Sequence, residues 1–233
     1  VVVNNLEYGT TYTWKVSVTD GKHSTNKTFT FATEAKSPWW NTNWKYRKTI
    51  TIDPDKVNAD QTSFPILINL TDSNLTGKAK LDGDDFVFTD ANQNKLNHEI
   101  ELYNNTIGHL VAWVNVPFIS STTYTKVYMY YGNPNAINQQ NPVAVWNLSF
   151  KMVLHLDEKT CMHYDSTING NNGMPYDGVA QGITGKVDGA DSFDGLNDYV
   201  EVPHSSYITG FTTAFTASFW LKQEDTIRRQ TIL

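Results

Sequence analysis

Between Trp44 and Pro134 the chain alternates apolar and polar residues in short runs, and no stretch repeats at helical spacing. In WKYRKTITID, Tyr46, Lys48, Ile50 and Ile52 alternate with Arg47, Thr49 and Thr51. In FPILINL, Phe64, Ile66, Ile68 and Leu70 fall on one face. LNHEIELY puts Leu96, His98, Ile100 and Leu102 inward and Asn97, Glu99, Glu101 and Tyr103 outward. LVAWVNV puts Leu110, Ala112, Val114 and Val116 opposite Trp113, and VYMYY alternates likewise. Successive strand side chains point to opposite faces, so the pattern predicts sheets with one face buried. Short strands separated by polar turns predict an antiparallel sandwich or jelly roll.

The flanks carry the same signal. In TYTWKVSVTDG, Tyr12, Trp14, Val16 and Val18 share a face, Asp20-Gly21 marks a hairpin turn, and Phe29 and Phe31 alternate on a second strand. Downstream, FKMVLHLDE (150–158) and TAFTASFWLK (213–222) read as strands around the turn-rich YDSTINGNNG and GKVDGADSFDGLNDYVEVPHS. The fold class expected is therefore all-β, as tandem β-sandwiches. The parts are 1–36, the end of one sandwich; 39–147, a complete central one; and 148–233, the opening of a third. A lone hairpin at one end and a half jelly roll at the other predict a piece of a longer protein.

Composition narrows the function classes. Apolar residues make up 39% and aromatics 13%, enough for a packed core. The formal charge of -6 comes without a basic face, which argues against nucleic acid as a partner. No apolar run approaches the ~20 residues of a membrane helix, and VVVNNLEYG is not a signal peptide. Cys161 is the single cysteine, so no internal disulfide forms, and a small buried or half-buried side chain is expected there. Asn-X-Ser/Thr sequons at Asn26, Asn69, Asn74, Asn104 and Asn147 point to a secreted, glycosylated surface.

Candidate chemistry is sparse. Glu99 and Glu101 could form the acid/base pair of a glycoside hydrolase, but two like-facing strand carboxylates read first as a solvated face. His98 reads as a hydrogen-bonded, core-facing histidine. Asp82, Asp84, Asp85 and Asp90 read as turn residues, since their spacing departs from that of a calcium loop. Trp39, Trp40 and Trp44 suit a sugar platform or, preferably, packing at a domain seam. No nucleophile elbow, zinc-protease helix or phosphate loop is present.

Three resemblances follow from the motifs quoted. Leu6 with Tyr12 resembles the tyrosine corner of fibronectin type III and immunoglobulin-like sandwiches. W-x-YRKTITID, FPILINL, GDDFVFTDAN, HEIELYN, LVAWVNVP and YMYYGNPNA resemble the domain of unknown function 2341, found in large secreted and cell-surface proteins of archaea and bacteria. D-S-x-x-x-G-N-x-G with S-F-D-G-x-x-D-Y-V resembles the opening half of a concanavalin A-like, laminin G-type jelly roll. That class implies a calcium ion, for which Asp157, Asp165, Asn171, Asp194 and Asp198 are the oxygen-bearing candidates. Asp165 equally suits a turn cap. The expectation is a non-catalytic extracellular adhesion, stalk or filament protein, with copies or modules of the same surface protein as partners through strand complementation. The alternative is the carbohydrate-binding accessory region of a secreted glycan-active enzyme.

Overall fold

A computed structural model describes residues 6–7, 9–33, 38–210 and 214–223. The chain divides into two compact units, Val1–Trp40 and Asn41–Leu233. The first unit is a hairpin of β1 (Thr11–Thr19) and β2 (Ser24–Ala32). Asp20 organises its turn by accepting from the backbone N–H groups of Lys22 and His23 at 2.8 and 2.7 Å, while Gly21 takes φ +90°. Cross-strand register stacks Tyr12 on Phe31 and Trp14 on Phe29, with ring centroids 5.6 and 4.8 Å apart. The Tyr12 phenol oxygen accepts from the Glu7 backbone N–H at 2.7 Å, the back-bond of a tyrosine corner.

In the second unit, β3 (Tyr46–Ile52), β9 (Thr125–Tyr131), β5 (Val87–Thr89) and β6 (Lys95–Leu96) pair in that order. A second sheet pairs β4 (Gln61–Thr71), β8 (His109–Ile119) and β7 (His98–Asn104). All neighbours are antiparallel. The inner faces of the two sheets share one core, including Phe86, Phe88, Met129, Leu110, Val114 and Ile68, all buried. The fold is an all-β sandwich, as the alternation predicts. Pro65 lies in β4, a marginal strand of its sheet, where a missing ladder donor is tolerated.

Two features depart from a strict period of two. Ile100 opposes Ala112 and Leu102 opposes Val111, so Glu101 is an extra residue in a β-bulge. Beyond it the alternation inverts. Leu102 therefore leaves the inward set, and Tyr103 turns to the core, its ring 4.9 Å from Phe86 and edge-on. His98 does face the core, fully buried against Phe88. However, neither ring nitrogen meets a well-aligned partner. Burial, with Lys95 nearby, lowers its pKa to about 4 against the Leu96 carbonyl, so it is neutral.

After β9 the chain forms two small antiparallel pairs. One joins β10 (Met174–Tyr176) to β13 (Tyr199–Glu201), the other β11 (Ala180–Thr184) to β12 (Gly189–Ser192). One helical turn, α1, spans Ser206–Thr209. The strand expected over 150–158 is reduced to a single bridge between Leu154 and Asp165, and Leu156 takes φ +57°. Residues 214–223 carry no strand; Thr213 lies outside the described residues. Cys161 is exposed rather than buried, in a bend with φ +71°.

Asp85 holds the sandwich end together. Fully buried, it accepts from the Lys80 N–H at 2.9 Å through one oxygen and from Gly132 and Asn133 N–H at 2.6 and 3.0 Å through the other. Its carbonyl accepts the indole N–H of buried Trp44 at 2.6 Å. Asp85→Ala strips three buried N–H groups of their acceptor. It is expected to cost about 3 kcal/mol or more in urea unfolding. Asp82→Ala, at an exposed turn whose carboxylate caps the Asp84 N–H, should cost less than about 1 kcal/mol.

Candidate functional site

The residues with most chemistry gather on the outer face of the three-stranded sheet. Glu99 opposes Trp113 there, and the bulge brings Glu101 to the same side. The segment that follows β9 lies across this face. Gln140 and Asn141 take up the β7 margin: the Ile100 N–H donates to Gln140 Oε1 at 2.6 Å, and the Asn141 N–H donates to the His98 carbonyl at 2.9 Å. Asn115 Nδ2 on β8 donates to the Val145 carbonyl at 2.8 Å. Trp146 then packs on Trp113 with ring centroids 5.0 Å apart and on Phe150 at 5.1 Å.

This cover buries the acidic pair that the sequence suggests is solvated; Glu99 is only 7% exposed. Three of the pair's four oxygens accept a hydrogen bond, and the fourth, Glu101 Oε1, faces His155 at ion-pair range. Glu99 Oε1 accepts from the Ser166 hydroxyl, and Oε2 accepts from the Trp146 indole at 2.9 Å. Glu101 Oε2 accepts from the Trp113 indole at 2.7 Å. His155 sits between them, Nε2 lying 3.2 Å from Glu99 Oε2, off the line of a good hydrogen bond, and Nδ1 3.6 Å from Glu101 Oε1. Burial pulls the His155 pKa down, but the bonds and charges of Glu101 and Glu99 outweigh it and raise it to about 10. Burial likewise opposes the ionised form of Glu101, yet His155 and the Trp113 indole hold its pKa below the usual carboxylate value. The result is an imidazolium clamped between two carboxylates.

A second histidine lies between two carboxyl groups downstream. His163, fully buried, places Nδ1 2.8 Å from Glu158 Oε2 and Nε2 2.7 Å from Asp191 Oδ2. Burial raises the Asp191 pKa and His163 only partly offsets it. Glu158 is lowered despite burial because it accepts the Tyr164 N–H and faces His163.

The five calcium candidates separate into three places. Asp165 is a buried hub, accepting from the N–H groups of Val153, Thr167 and Asn171 and from the Thr167 hydroxyl, at 2.8 to 2.9 Å. Asn171 joins this hub, its Oδ1 accepting from Ser205 Oγ at 2.8 Å and its Nδ2 donating to the Lys151 carbonyl at 2.7 Å. Asp194 and Asp198 meet in a separate exposed turn, where the Asp194 N–H donates to Asp198 Oδ2 at 2.9 Å. Asp157 is exposed and near Asp188, whose pKa is raised by burial and by the Asp157 charge. Among the described residues, no three or more His, Cys, Asp or Glu side chains are arranged to hold a metal ion.

The turn aspartates behave as read: Asp82 caps the Asp84 N–H, and Asp90 accepts from the N–H groups of Asn92 and Asn94. Sequon asparagines Asn26, Asn69, Asn74 and Asn104 are exposed, and Asn147 is half-buried. Sequence reasoning missed His155, His163, Ser166 and Asp191. His155 lies inside an alternating run that reads as an ordinary strand, so no local signal marks it.

The clamp predicts a pH dependence. The unfolded imidazole titrates at its ordinary 6.5 and the folded one at about 10, so the folded state binds the proton more tightly. The stability this supplies is complete below pH 6.5, falls as pH rises and is lost above 10. Urea unfolding of wild type against His155→Gln should show a difference on the order of 2–4 kcal/mol at pH 6 that shrinks markedly by pH 10.5.

Residues 82–169 match a family model described as a domain of unknown function (DUF2341), which supports the identity expected for the central domain. The match runs past Asn147 and takes in Trp146, His155 and Ser166 together with Glu99, Glu101 and Trp113. No curated protein and no solved structure matches the chain.

Proposed function

We propose that this chain is a non-catalytic structural region of an extracellular or cell-surface protein, working in a stalk, adhesin or filament. The observation that carries this reading is the sealed acidic pair. A general acid/base pair needs a free oxygen facing a substrate-sized space. Here the four oxygens of Glu99 and Glu101 meet two indoles, a hydroxyl and an imidazolium, all supplied by the protein's own chain. Five sequons, together with few Lys and Arg and many Asn, Thr and Tyr, favour a place outside the cell.

In this reading the hairpin of the first unit is the end of an immunoglobulin-like sandwich, favoured by the Tyr12 back-bond. The paired short strands after β9 open a concanavalin A-like domain. The partners are further modules or copies of the same surface protein, added at a strand margin such as β3.

A second reading, glycan binding, is favoured by a shallow hollow of about 310 Å³ lined by Asn43, Lys45, Asn133, Pro134 and Asn135. Amide side chains around an open surface suit sugar hydroxyls. A calcium ion, if used, belongs to this reading.

Protease treatment of intact source cells should cleave the protein while leaving cytosolic markers whole. Full protection until lysis would overturn the extracellular assignment. On a glycan array, the structural reading expects no saturable binding with or without calcium. Saturable binding lost in Asn43→Ala/Asn135→Ala would favour the second reading.

A further inference from the structure

The five sequons look equivalent in the sequence, but the fold separates them. Asn147 is committed: its Nδ2 donates to the Ser63 carbonyl at 3.0 Å and its Oδ1 accepts from the Ser149 N–H at 2.9 Å. Asn74 is also engaged, with Nδ2 donating to Asp72 Oδ1 at 3.0 Å and Oδ1 accepting from Lys78 Nζ at 2.7 Å. Asn26 also has its oxygen held, by the Ser17 hydroxyl, but it belongs to the hairpin of the first unit, whereas the other four sequons lie in the second.

Asn69 and Asn104 differ from Asn147 and Asn74. They are 35 positions apart in sequence yet lie at the same end of the same sheet. His109, at the start of β8, joins them. It pairs with Asn104 across β7 and with Thr71 across β4, and its Nε2 is 3.0 Å from Asn69 Oδ1. Asn104 Oδ1 accepts the Thr106 N–H at 3.0 Å, folding its sequon into an Asx turn. In both residues the oxygen is held and the amide nitrogen donates to no described residue. Both side chains are exposed. Strand order is β4-β8-β7, so the two asparagines stand on opposite margins of the sheet, roughly 10 Å apart at two strand spacings.

We propose that Asn69 and Asn104 form a paired N-glycan attachment site and that Asn147 is not used. The proposal rests on the extracellular reading above and adds which sequons carry sugar. In the modification, a bond forms between Nδ2 and C1 of an activated glycosyl phosphate donor. The bond from C1 to the phosphate oxygen breaks, and the amide proton leaves with the released phosphate. Two bulky solvated chains on the β4 and β7 margins then shield that end of the sheet from lateral pairing. Unpaired strand margins need such protection.

The experiment is glycopeptide mass spectrometry on the full protein purified from its native source, with Asn69→Gln, Asn104→Gln, the double variant and Asn147→Gln expressed there, and each checked for wild-type thermal unfolding. The expected result is glycan mass on the Asn69 and Asn104 peptides. Each single variant should lose one glycan from the intact mass and the double variant two, with no loss in Asn147→Gln. Unmodified Asn69 and Asn104, or Asn147 modified as fully as they are, would overturn the paired site. If the protein is then still cleaved on intact cells, the extracellular reading stands alone. If it is protected there as well, both fall.

Discussion

A carboxylate removed from water must be given donors, or it destabilises the fold by several kcal/mol. That requirement governs this sandwich at Glu99. Its side chain stands on the face of the sheet that alternation assigns to solvent, yet it is 7% exposed. Its donors come from Trp146, His155 and Ser166, which are 47, 56 and 67 positions downstream. The outer face is thus finished only when the later segment arrives. Loop closure over such distances costs only slowly more with length, so a few charge-assisted contacts are enough to hold it.

The same logic recurs at three levels. Asp85 gathers the Lys80 turn, the end of β9 and Trp44 around one buried carboxylate. Asp165 gathers Val153, Thr167 and Asn171. His163 bridges Glu158 and Asp191. In each case hydrogen bonds or ion pairs, rather than added apolar area, join segments that have little regular ladder between them. The strand expected over 150–158 fails for this reason. Val153 spends its backbone N–H on the Asp165 side chain, Leu156 leaves the extended region at φ +57°, and only Leu154 makes a ladder bridge.

What the sequence makes legible is whatever follows a local period. The inward set Leu110, Ala112, Val114 and Val116 is buried to a residue, and the strands from β3 to β9 fall where alternation places them. The Asp20-Gly21 turn and the Asp90 turn are readable because an Asx side chain caps its own neighbours. The Glu101 bulge is not readable, since a run of Glu-Ile-Glu-Leu-Tyr fits an unbroken period as well as a broken one. The burial of Glu99 is also invisible locally. Its charge predicts water, and only the partner segment reverses that.

The choice of a charged clamp over an apolar seal has a physical consequence. Leucine or methionine in place of Glu99, Glu101 and His155 would bury the same face and is commonly as stable, because paired buried charges repay little beyond their own desolvation. Apolar side chains accept many neighbours, however. Two carboxylates flanked by two indole N–H groups and one imidazolium accept only the segment that presents those donors in that geometry. For a protein proposed to work among repeated, similar sandwiches, the hazard is a neighbouring module's strand settling on the wrong sheet. A face whose uncovered state leaves two carboxylates without their donors penalises each wrong cover by the cost of an unpaired buried charge. The matched stretch 82–169 contains both halves of the clamp, the sheet residues and the segment that closes over them. The unit that must travel together is therefore defined by these donors and acceptors, and the end of the two-sheet sandwich's last strand at Tyr131 falls short of it.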